Sequence, residues 1–342
     1  MNLSFLRRGR SVGLDVGSGS IRALVLERRR SDVVVAGRGA AALSADGEPA
    51  ELGQAVHAAL AEAGADGEPI IAAIGGPEVV IRQVSMPPVP SAKVLPALEI
   101  QHRELGLLPP RDAVMDAQVL RKSKKDPNAN DVLSVSVPRA RLDERVRMLR
   151  QAAVDLRVLD VEALALLNGA VHLTGLDAGE LLVLLSLGQR TSVLCLFSEQ
   201  GPVVARYLDI GAETFTEQLR SSLPFAVHSA RDFPRVIPAA EMPKAEAACR
   251  EILDRMAEDI RLSLTFYRTE YDRESLPRYT IGGSVDIPFV SRWLADRLGL
   301  AAPLELMDPF RVLEVTAAQT GADLTASGPQ FLQAFGLALR GL

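Results

Sequence analysis

The sequence predicts an α/β protein of two domains, because one strand-turn-strand pattern occurs once in each half of the chain. Residues 12–26 and 183–197 each contain an apolar strand, a tight turn of glycine and small hydroxyl residues, and a second apolar strand. A chain of 342 residues is also too long for one core of ordinary size. In register, the two copies match at three positions: Asp15 with Ser186, Gly17 with Gly188, and Ser20 with Thr191.

The first domain is predicted to comprise residues 11–81 and to resume at residues 156–180. After the hairpin, apolar runs and breaker residues predict a strand at 33–36, a helix at about 51–63, a strand at 70–74 and a strand that ends near Val84. After the return to the first domain, they predict a strand at 158–161 and a helix at 162–172.

A separate unit, residues 82–155, is predicted to be inserted into the first domain. The prolines of Met86-Pro87-Pro88-Val89-Pro90 favour an extended connector into it. Ser91 suits a helix N-cap. The following pattern is α-β-β-α, with a helix to about 105, strands at 113–120 and 132–137, and a helix at about 139–153.

The second domain is predicted to span residues 181–328, with a smaller subdomain at about 211–278, before a C-terminal helix at 329–342. Apolar residues at helical spacing between 252 and 267 indicate one long buried helix. Beyond the hairpin, the elements are a strand at 203–208, helices at 212–223 and 245–271, a strand at 279–281 and a helix at 289–298.

Two such hairpins in two halves of one chain are typical of the actin/Hsp70-like ATPase fold, where they hold nucleotide phosphates in a central cleft. Glycine lets backbone N–H groups approach phosphate oxygens, and hydroxyl groups add donors. Asp15 is of the type that holds hydrated Mg²⁺ in nucleotide sites. The residues predicted to bind ATP from the hairpins are Asp15, Gly17, Ser18, Gly19, Ser20, Gly188, Arg190 and Thr191.

A third turn, Gly282-Gly283-Ser284, follows an apolar strand and is predicted to lie against the adenosine. Taken alone, this turn is equally consistent with an ordinary passage from strand to helix.

Arg190, in the second hairpin, also has two interpretations. It is either a phosphate ligand that replaces lost metal charge or a solvated surface residue.

Ser186 occupies the position where ATPases of this fold normally present a second aspartate. Serine carries no charge for a cation, and loss of an aligned electrostatic group commonly lowers phosphoryl-transfer rates by two or more orders of magnitude. ATP and Mg²⁺ are therefore the expected ligands, whereas hydrolysis is expected to be weak or absent.

Other functions find little support in the composition. A net charge of −5 argues against a general nucleic-acid binder. Cys195 and Cys249 lie in apolar runs and are predicted to be buried thiols. The four histidines have no metal-ligand spacing, and no run approaches the roughly 18 to 20 apolar residues of a membrane span.

Several segments, in order along the chain, resemble the PilM family of type IV pilus assembly proteins. Gly13–Arg22 is similar to the family's G-[LV]-D-I-G-S-S-S-[VI]-K, and this similarity adds Arg22 to the predicted site. The segment beginning Arg206-Tyr207-Leu208 resembles R-x-I-x-x-G-G-x-x-L-T and adds Gly211. Further similar segments are Asp160–Leu166 (D-V-E-P-F-A-L), Glu258–Tyr267 (E-I-R-R-S-L-x-F-Y) and Gly336–Arg340 (G-L-A-L-R).

Three departures from the family pattern fall on the second half of the cleft. They are Ser186, Ala212 in place of a second glycine, and Pro243, which is predicted to break a helix that carries a nucleotide-side A-E-x-x-K segment.

The resemblance implies a cytoplasmic actin-like scaffold that is peripheral to the inner membrane. Its implied partner is the cytoplasmic tail of a PilN-like single-pass membrane protein, held in a groove beside the insert, with contact to the membrane only through that partner. Self-association stays open. The alternatives are a weak ATPase or kinase of the actin and sugar-kinase superfamily and an FtsA-like division protein, although the latter ends in an amphipathic membrane helix that residues 329–342 do not resemble.

Overall fold

Two five-stranded sheets repeat one strand order, third-second-first-fourth-fifth, in the computed structural model. The model describes residues 9–30, 32–43, 49–104, 112–123, 126–199, 204–228, 236–271, 274–283, 289–315 and 328–342. The first sheet, ordered β3-β2-β1-β4-β8, consists of β1 (Arg10–Val16), β2 (Ser20–Arg29), β3 (Asp32–Ala42), β4 (Ile70–Ile74) and β8 (Leu156–Val161). The second, ordered β11-β10-β9-β12-β13, consists of β9 (Glu180–Leu187), β10 (Ser192–Phe197), β11 (Val204–Leu208), β12 (Leu276–Gly283) and β13 (Glu305–Leu306).

The strand directions repeat as well. In each sheet the first three strands are antiparallel neighbours, and the fourth strand is parallel to the first and to the fifth. This duplicated topology places the two hairpin turns, residues 16–20 and 187–192, at corresponding corners of the two sheets.

The insert contains a third sheet, which differs from the predicted α-β-β-α unit by one strand. Its antiparallel order is β5-β7-β6, formed by β5 (Val80–Met86), β6 (Ala113–Lys122) and β7 (Asn130–Pro138). The strand that ends near Val84 was expected to belong to the first domain. It pairs instead with β7, from Val80 with Ser136 to Met86 with Asn130.

Ten helices are described, together with 3-10 turns at Ala239–Glu241 and Gly328–Phe331. The helices are α1 (Pro49–Glu62), α2 (Ser91–Glu104), α3 (Arg139–Gln151), α4 (Glu162–Thr174), α5 (Ala212–Ser222), α6 (Met242–Ala248), α7 (Arg250–Glu270), α8 (Val290–Leu298), α9 (Pro309–Val312) and α10 (Leu332–Leu339). None of them is both long and apolar enough to cross a membrane.

Two helix predictions near residue 245 were wrong in detail. Pro243 does not break the helix, because it lies in the first turn of α6, where a backbone N–H has no intrahelical partner to lose. The single helix expected over 245–271 is divided at Cys249, whose backbone (φ −89°, ψ 5°) leaves helical values between α6 and α7.

The helix α3 follows the insert sheet in sequence, but it packs on the core of the first domain. Leu149 and Ala152 are buried with α1 residues Val56 and Leu60 and with Val12 of β1. On another side of α3, Leu142 contacts the apolar cluster that contains Ile74 and Val137. This helix therefore fixes the insert to the first sheet.

A second core lies between the two large sheets. It joins Leu24 of β2 to Leu184 of β9 through α4 and α10, whose buried members include Leu166 and Phe335. Both cysteines are buried and free. The second domain has its own core around Phe215, Tyr267 and Trp293.

The backbone of helix α10 packs directly against the backbones of β1 and α4. A Cβ on Gly13 of β1 would overlap the carbonyl oxygen of Ala334, and a Cβ on Gly336 would overlap the carbonyl oxygen of Ala165 in α4. Both positions therefore require glycine, because the backbones of β1, α4 and α10 pack together with no side chain between them.

We expect Gly336→Ala to destabilise the protein by about 1–3 kcal/mol, because the new methyl group overpacks the contact with α4. Gly53→Ala is the matched control, since Gly53 is also inside a helix and its added Cβ would meet nothing nearer than 3.8 Å. The control should be neutral or stabilising by up to about 1 kcal/mol. Urea unfolding of both variants tests this, and equal stability of the two would contradict the close-packing argument.

Candidate functional site

A cavity of about 270 Å³ lies between the two hairpin turns. The turns face each other, since a Cβ on Gly19 would come within 2.8 Å of Cγ of Gln189. The structure brings together nine of the predicted site residues on the wall of this cavity: Asp15, Gly17, Ser18, Gly19, Ser20, Arg22, Gly188, Thr191 and Gly283. Ser186, which stands where ATPases of this fold normally present a second aspartate, lines the cavity as well.

The first hairpin carries a buried ion pair at the base of its turn. Asp15 and Arg22 are cross-strand neighbours, and Nη1 of Arg22 lies 3.5 Å from Oδ2 of Asp15. Arg22 also donates from Nη2 to Oε1 of Gln330 at 3.0 Å. Burial raises the pKa of Asp15, and the nearby positive charges of Arg22 and Arg145 oppose that rise.

The second hairpin uses its carbonyl groups to cap helix α5. The backbone N–H groups of Ala212 and Glu213 donate to the carbonyl oxygens of Gly188 and Gln189, both at 2.9 Å. These carbonyls therefore satisfy donors that a helix N-terminus otherwise offers to an anion.

Gly211 lies beneath this turn and does not line the cavity. A Cβ at Gly211 would overlap backbone atoms of Gln189 and Arg190, so the glycine permits the close contact between α5 and the hairpin. Its N–H donates to Oγ1 of Thr214 at 3.2 Å. The structure thus supports a packing role for Gly211 and not a direct ligand contact.

Arg190 lies beside the cavity between the hairpins and does not line it. The side chain is exposed, its Nε lies 3.4 Å from Oε2 of Glu213, and it lines a neighbouring cavity of about 680 Å³. The pairing with Glu213 of α5 was not evident in the sequence, because it depends on how α5 packs against the turn.

The two glycines of the third turn have different roles. Gly283 has φ of +80° and lines the cavity. Gly282 is buried, and its added Cβ would lie 2.8 Å from Cδ2 of Leu332 in α10. Gly282 therefore makes room for α10, whereas Ser284 lies outside the described residues.

Glu162, the first residue of α4, is a cavity residue that was not predicted as part of the site. Tyr207 of β11 donates its hydroxyl to Oε2 of Glu162 at 3.1 Å. Burial and the neighbouring charge of Asp15 raise the pKa of Glu162 to about 7, although Tyr207 and Arg145 favour the ionised form. The cavity therefore contains a second carboxyl group, supplied by α4 and not by the second hairpin.

One sequence signal pointed to Glu162. It directly follows β8, and the carboxyl ends of parallel strands are where α/β proteins place functional groups. Arg141 and Arg145 of α3 also line the cavity. No sequence pattern distinguishes these two arginines from the other charged residues of α3.

A separate groove runs between the insert sheet and the first domain. Its two adjoining cavities, of about 430 and 840 Å³, share Gln118, Leu133, Asp160, Leu164 and Arg340. Oδ2 of Asp160 is buried without a hydrogen-bond partner among the described residues, although Nε of Arg340 lies 3.4 Å away.

Comparison with known proteins identifies relatives of the whole chain. The family model "Type IV pilus assembly protein PilM" matches residues 13–342. A solved PilM-PilN type IV pilus biogenesis complex aligns with a TM-score of 0.79 at 22% identity, covering 97% of this chain and 98% of that chain. Ethanolamine utilization protein EutJ from Carboxydothermus hydrogenoformans aligns with a TM-score of 0.51 at 15% identity, covering 96% of this chain and 89% of that one.

The chain therefore belongs to the PilM family of type IV pilus assembly proteins, and the predicted membership is confirmed. The actin/Hsp70-like fold is confirmed by the duplicated sheet topology together with these alignments.

We expect Glu162→Gln to change how stability depends on pH. An unfolded glutamate releases its proton near pH 4.5, whereas the folded one retains it to about pH 7. Ionisation therefore favours the unfolded chain, and wild-type stability from this group falls as pH rises from about 4.5 through 7. The glutamine variant should gain stability relative to wild type at pH 8 compared with pH 5.

Urea unfolding at the two pH values measures the difference. Glu99→Gln, the same exchange at an exposed position of α2, is the control and should show no such gain. An equal pH dependence for wild type and Glu162→Gln would refute the raised pKa.

Proposed function

We propose that this chain, as a member of the PilM family, is an actin-like scaffold of type IV pilus assembly that binds the cytoplasmic tail of a PilN-like membrane protein. Its place would be in the cytoplasm, peripheral to the inner membrane, with contact to the membrane through that partner. The solved relative with the same fold is a PilM-PilN complex. The observation that carries the proposal is the continuous groove beside the insert.

The insert supplies one wall of this groove. Three β7 residues line it, and their cross-strand neighbours on β6 lie on the same face of the insert sheet. These pairs are Val137 with Val114, Val135 with Asp116, and Leu133 with Gln118. The opposite wall consists mainly of apolar residues of β8 and α4.

The groove suits an extended peptide. β6 lies at the edge of the insert sheet in the described order β5-β7-β6, so its outer backbone groups are positioned to pair with an added strand. Apolar pockets on both sides of Asp160 would take alternate side chains of the peptide.

The central cleft is proposed to bind ATP with Mg²⁺. The donors that line it fit an oligophosphate: hydroxyl groups of Ser18, Ser20 and Thr191, and arginine side chains. Asp15 would hold the hydrated cation, with Glu162 as the second carboxylate. The bound cation would supply charge neutralisation for the phosphates.

A weak ATPase is the second candidate, and one observation favours it. Glu162 lines the cleft, where the hydroxyl of Tyr207 orients its carboxyl group, so it is placed to act as a general base. Against it, Ser186 leaves the second hairpin without a carboxylate, so we expect nucleotide to be held and hydrolysed slowly if at all. Family membership disfavours the FtsA-like alternative.

We expect Gln118→Arg to weaken tail binding about tenfold or more, because a long charged side chain would occupy the shared middle of the groove. The ligand is a synthetic peptide of the N-terminal cytoplasmic tail of the PilN-like protein from the same genome. Gln54→Arg on α1, equally exposed and outside both groove cavities, is the matched control. Calorimetry should give wild-type affinity around micromolar.

Equal affinity of the two variants would place the tail elsewhere on the molecule. Point variants are preferable to removal of the insert, because α3 contributes Leu149 to the core of the first domain.

We expect steady-state ATP hydrolysis by wild type to be slower than about 1 s⁻¹, below the ordinary range of enzymes. A phosphate-release assay with wild type, Glu162→Gln and Ser186→Asp tests this. Turnover within the ordinary range that is lost in Glu162→Gln would favour the ATPase alternative over the scaffold.

A further inference from the structure

Within the described part of the chain, three arginines line the cavity between the hairpins, and two of them have carboxylate partners. Arg22 is paired with Asp15 at 3.5 Å and bonded to Gln330. Arg141 is paired with Glu78 at 3.0 Å and with Glu144 at 2.6 Å. Both guanidinium groups therefore already form ion pairs with side chains of the protein.

Arg145 is different. Among the described residues it has no carboxylate within 4.0 Å, and its contacts are a long hydrogen bond from Nη1 to the carbonyl oxygen of Val16, at 3.4 Å, and Sδ of Met148 at 4.0 Å. A guanidinium group has five N–H donors, so most of the donors of Arg145 have no partner among the residues that the structure describes. Burial lowers the pKa of Arg145, and the neighbouring charges of Asp15 and Glu162 oppose that shift.

The position of Arg145 indicates what would use these donors. Its contact with Val16 places it at the first phosphate turn, and it lines both the 270 Å³ cavity and the neighbouring 680 Å³ cavity. A partly buried, planar cation on the wall of the cavity between the hairpins, beside the backbone and hydroxyl donors of the first turn, suits a bidentate oxyanion, above all a phosphate.

We infer that Arg145, supplied by the insert-side helix α3, is the phosphate-binding arginine of the cleft. It takes the role that the sequence suggested for Arg190, which is paired with Glu213 instead. This inference rests on the proposed nucleotide site and names the residue that recognises the oligophosphate there. Asp15 and Glu162 attract Arg145 electrostatically and hold its charge near the turn when no anion is bound.

The test is calorimetry on the full chain with three probes: Mg-ATP, inorganic tripolyphosphate and adenosine. Arg145→Gln should weaken Mg-ATP and tripolyphosphate by about tenfold or more and leave adenosine binding unchanged, because a charge-assisted hydrogen bond to phosphate is lost. Arg150→Gln is the matched control on the same helix, since Arg150 is exposed and outside both cavities. It should bind all three probes as wild type does.

Arg145→Lys provides a second variant that keeps the positive charge, and circular dichroism checks that each variant is folded. The lysine lacks the planar fork, so it should lose affinity for both anions, though less than glutamine does. The inference would be overturned if the folded Arg145 variants bound the anions as tightly as Arg150→Gln does. It would also be overturned if Arg145→Gln lost as much affinity for adenosine as for the anions, or if wild type bound no anion.

The tail peptide is titrated into the same proteins. If wild type binds the anions and the Arg145 variants bind them equally well, only the role of Arg145 is overturned. If wild type binds the peptide but no anion, the proposed nucleotide site is overturned as well, and absent peptide binding by wild type counts against the scaffold itself.

Discussion

The backbone contact of α10 with β1 and α4 is the constraint on which the rest of the structure depends. At Gly13 and Gly336 the helix lies too close for any side chain, and its neighbours in the same core belong to both large sheets. The turn before α10 carries Gln330, which holds Arg22 of the first hairpin. Leu332 occupies the space left by Gly282 at the third turn. One close-packed helix thereby sets the positions of two of the three turns around the cleft.

The groove and the cleft share structural elements. On α3, Leu142 lines the groove, while Arg145 lines the cleft. At the end of β8, Asp160 lies in the groove and Glu162, two residues later, lies in the cleft. Leu149 fixes α3 to the core of the first domain, so one anchored helix positions residues of both sites.

Local patterns in the sequence were sufficient for the two hairpins and for most of the helices. They failed where a long-range contact decides the outcome. The pairing of β5 with β7 joins residues about fifty positions apart, and nothing near Val84 specifies that partner. Arg190 and Gly282 were chosen from turn chemistry alone, yet Glu213 and Leu332 determine what they contact. Glu162 stands in the sequence directly after a predicted strand and within a family motif, but its environment comes from Asp15 and Tyr207, which are distant in sequence.

The origin of the two acidic groups in the cleft supports the proposed scaffold over the alternative of an ATPase. Where each hairpin presents an aspartate, a bound cation links the two domains by charge. Here Asp15 and Glu162 both belong to the first domain, from β1 and α4. The second domain meets them with neutral groups, the hydroxyl of Tyr207 and the side chain of Ser186. A cation bound by these carboxylates would stabilise one half of the cleft, and its charge would contribute little to closing one domain on the other.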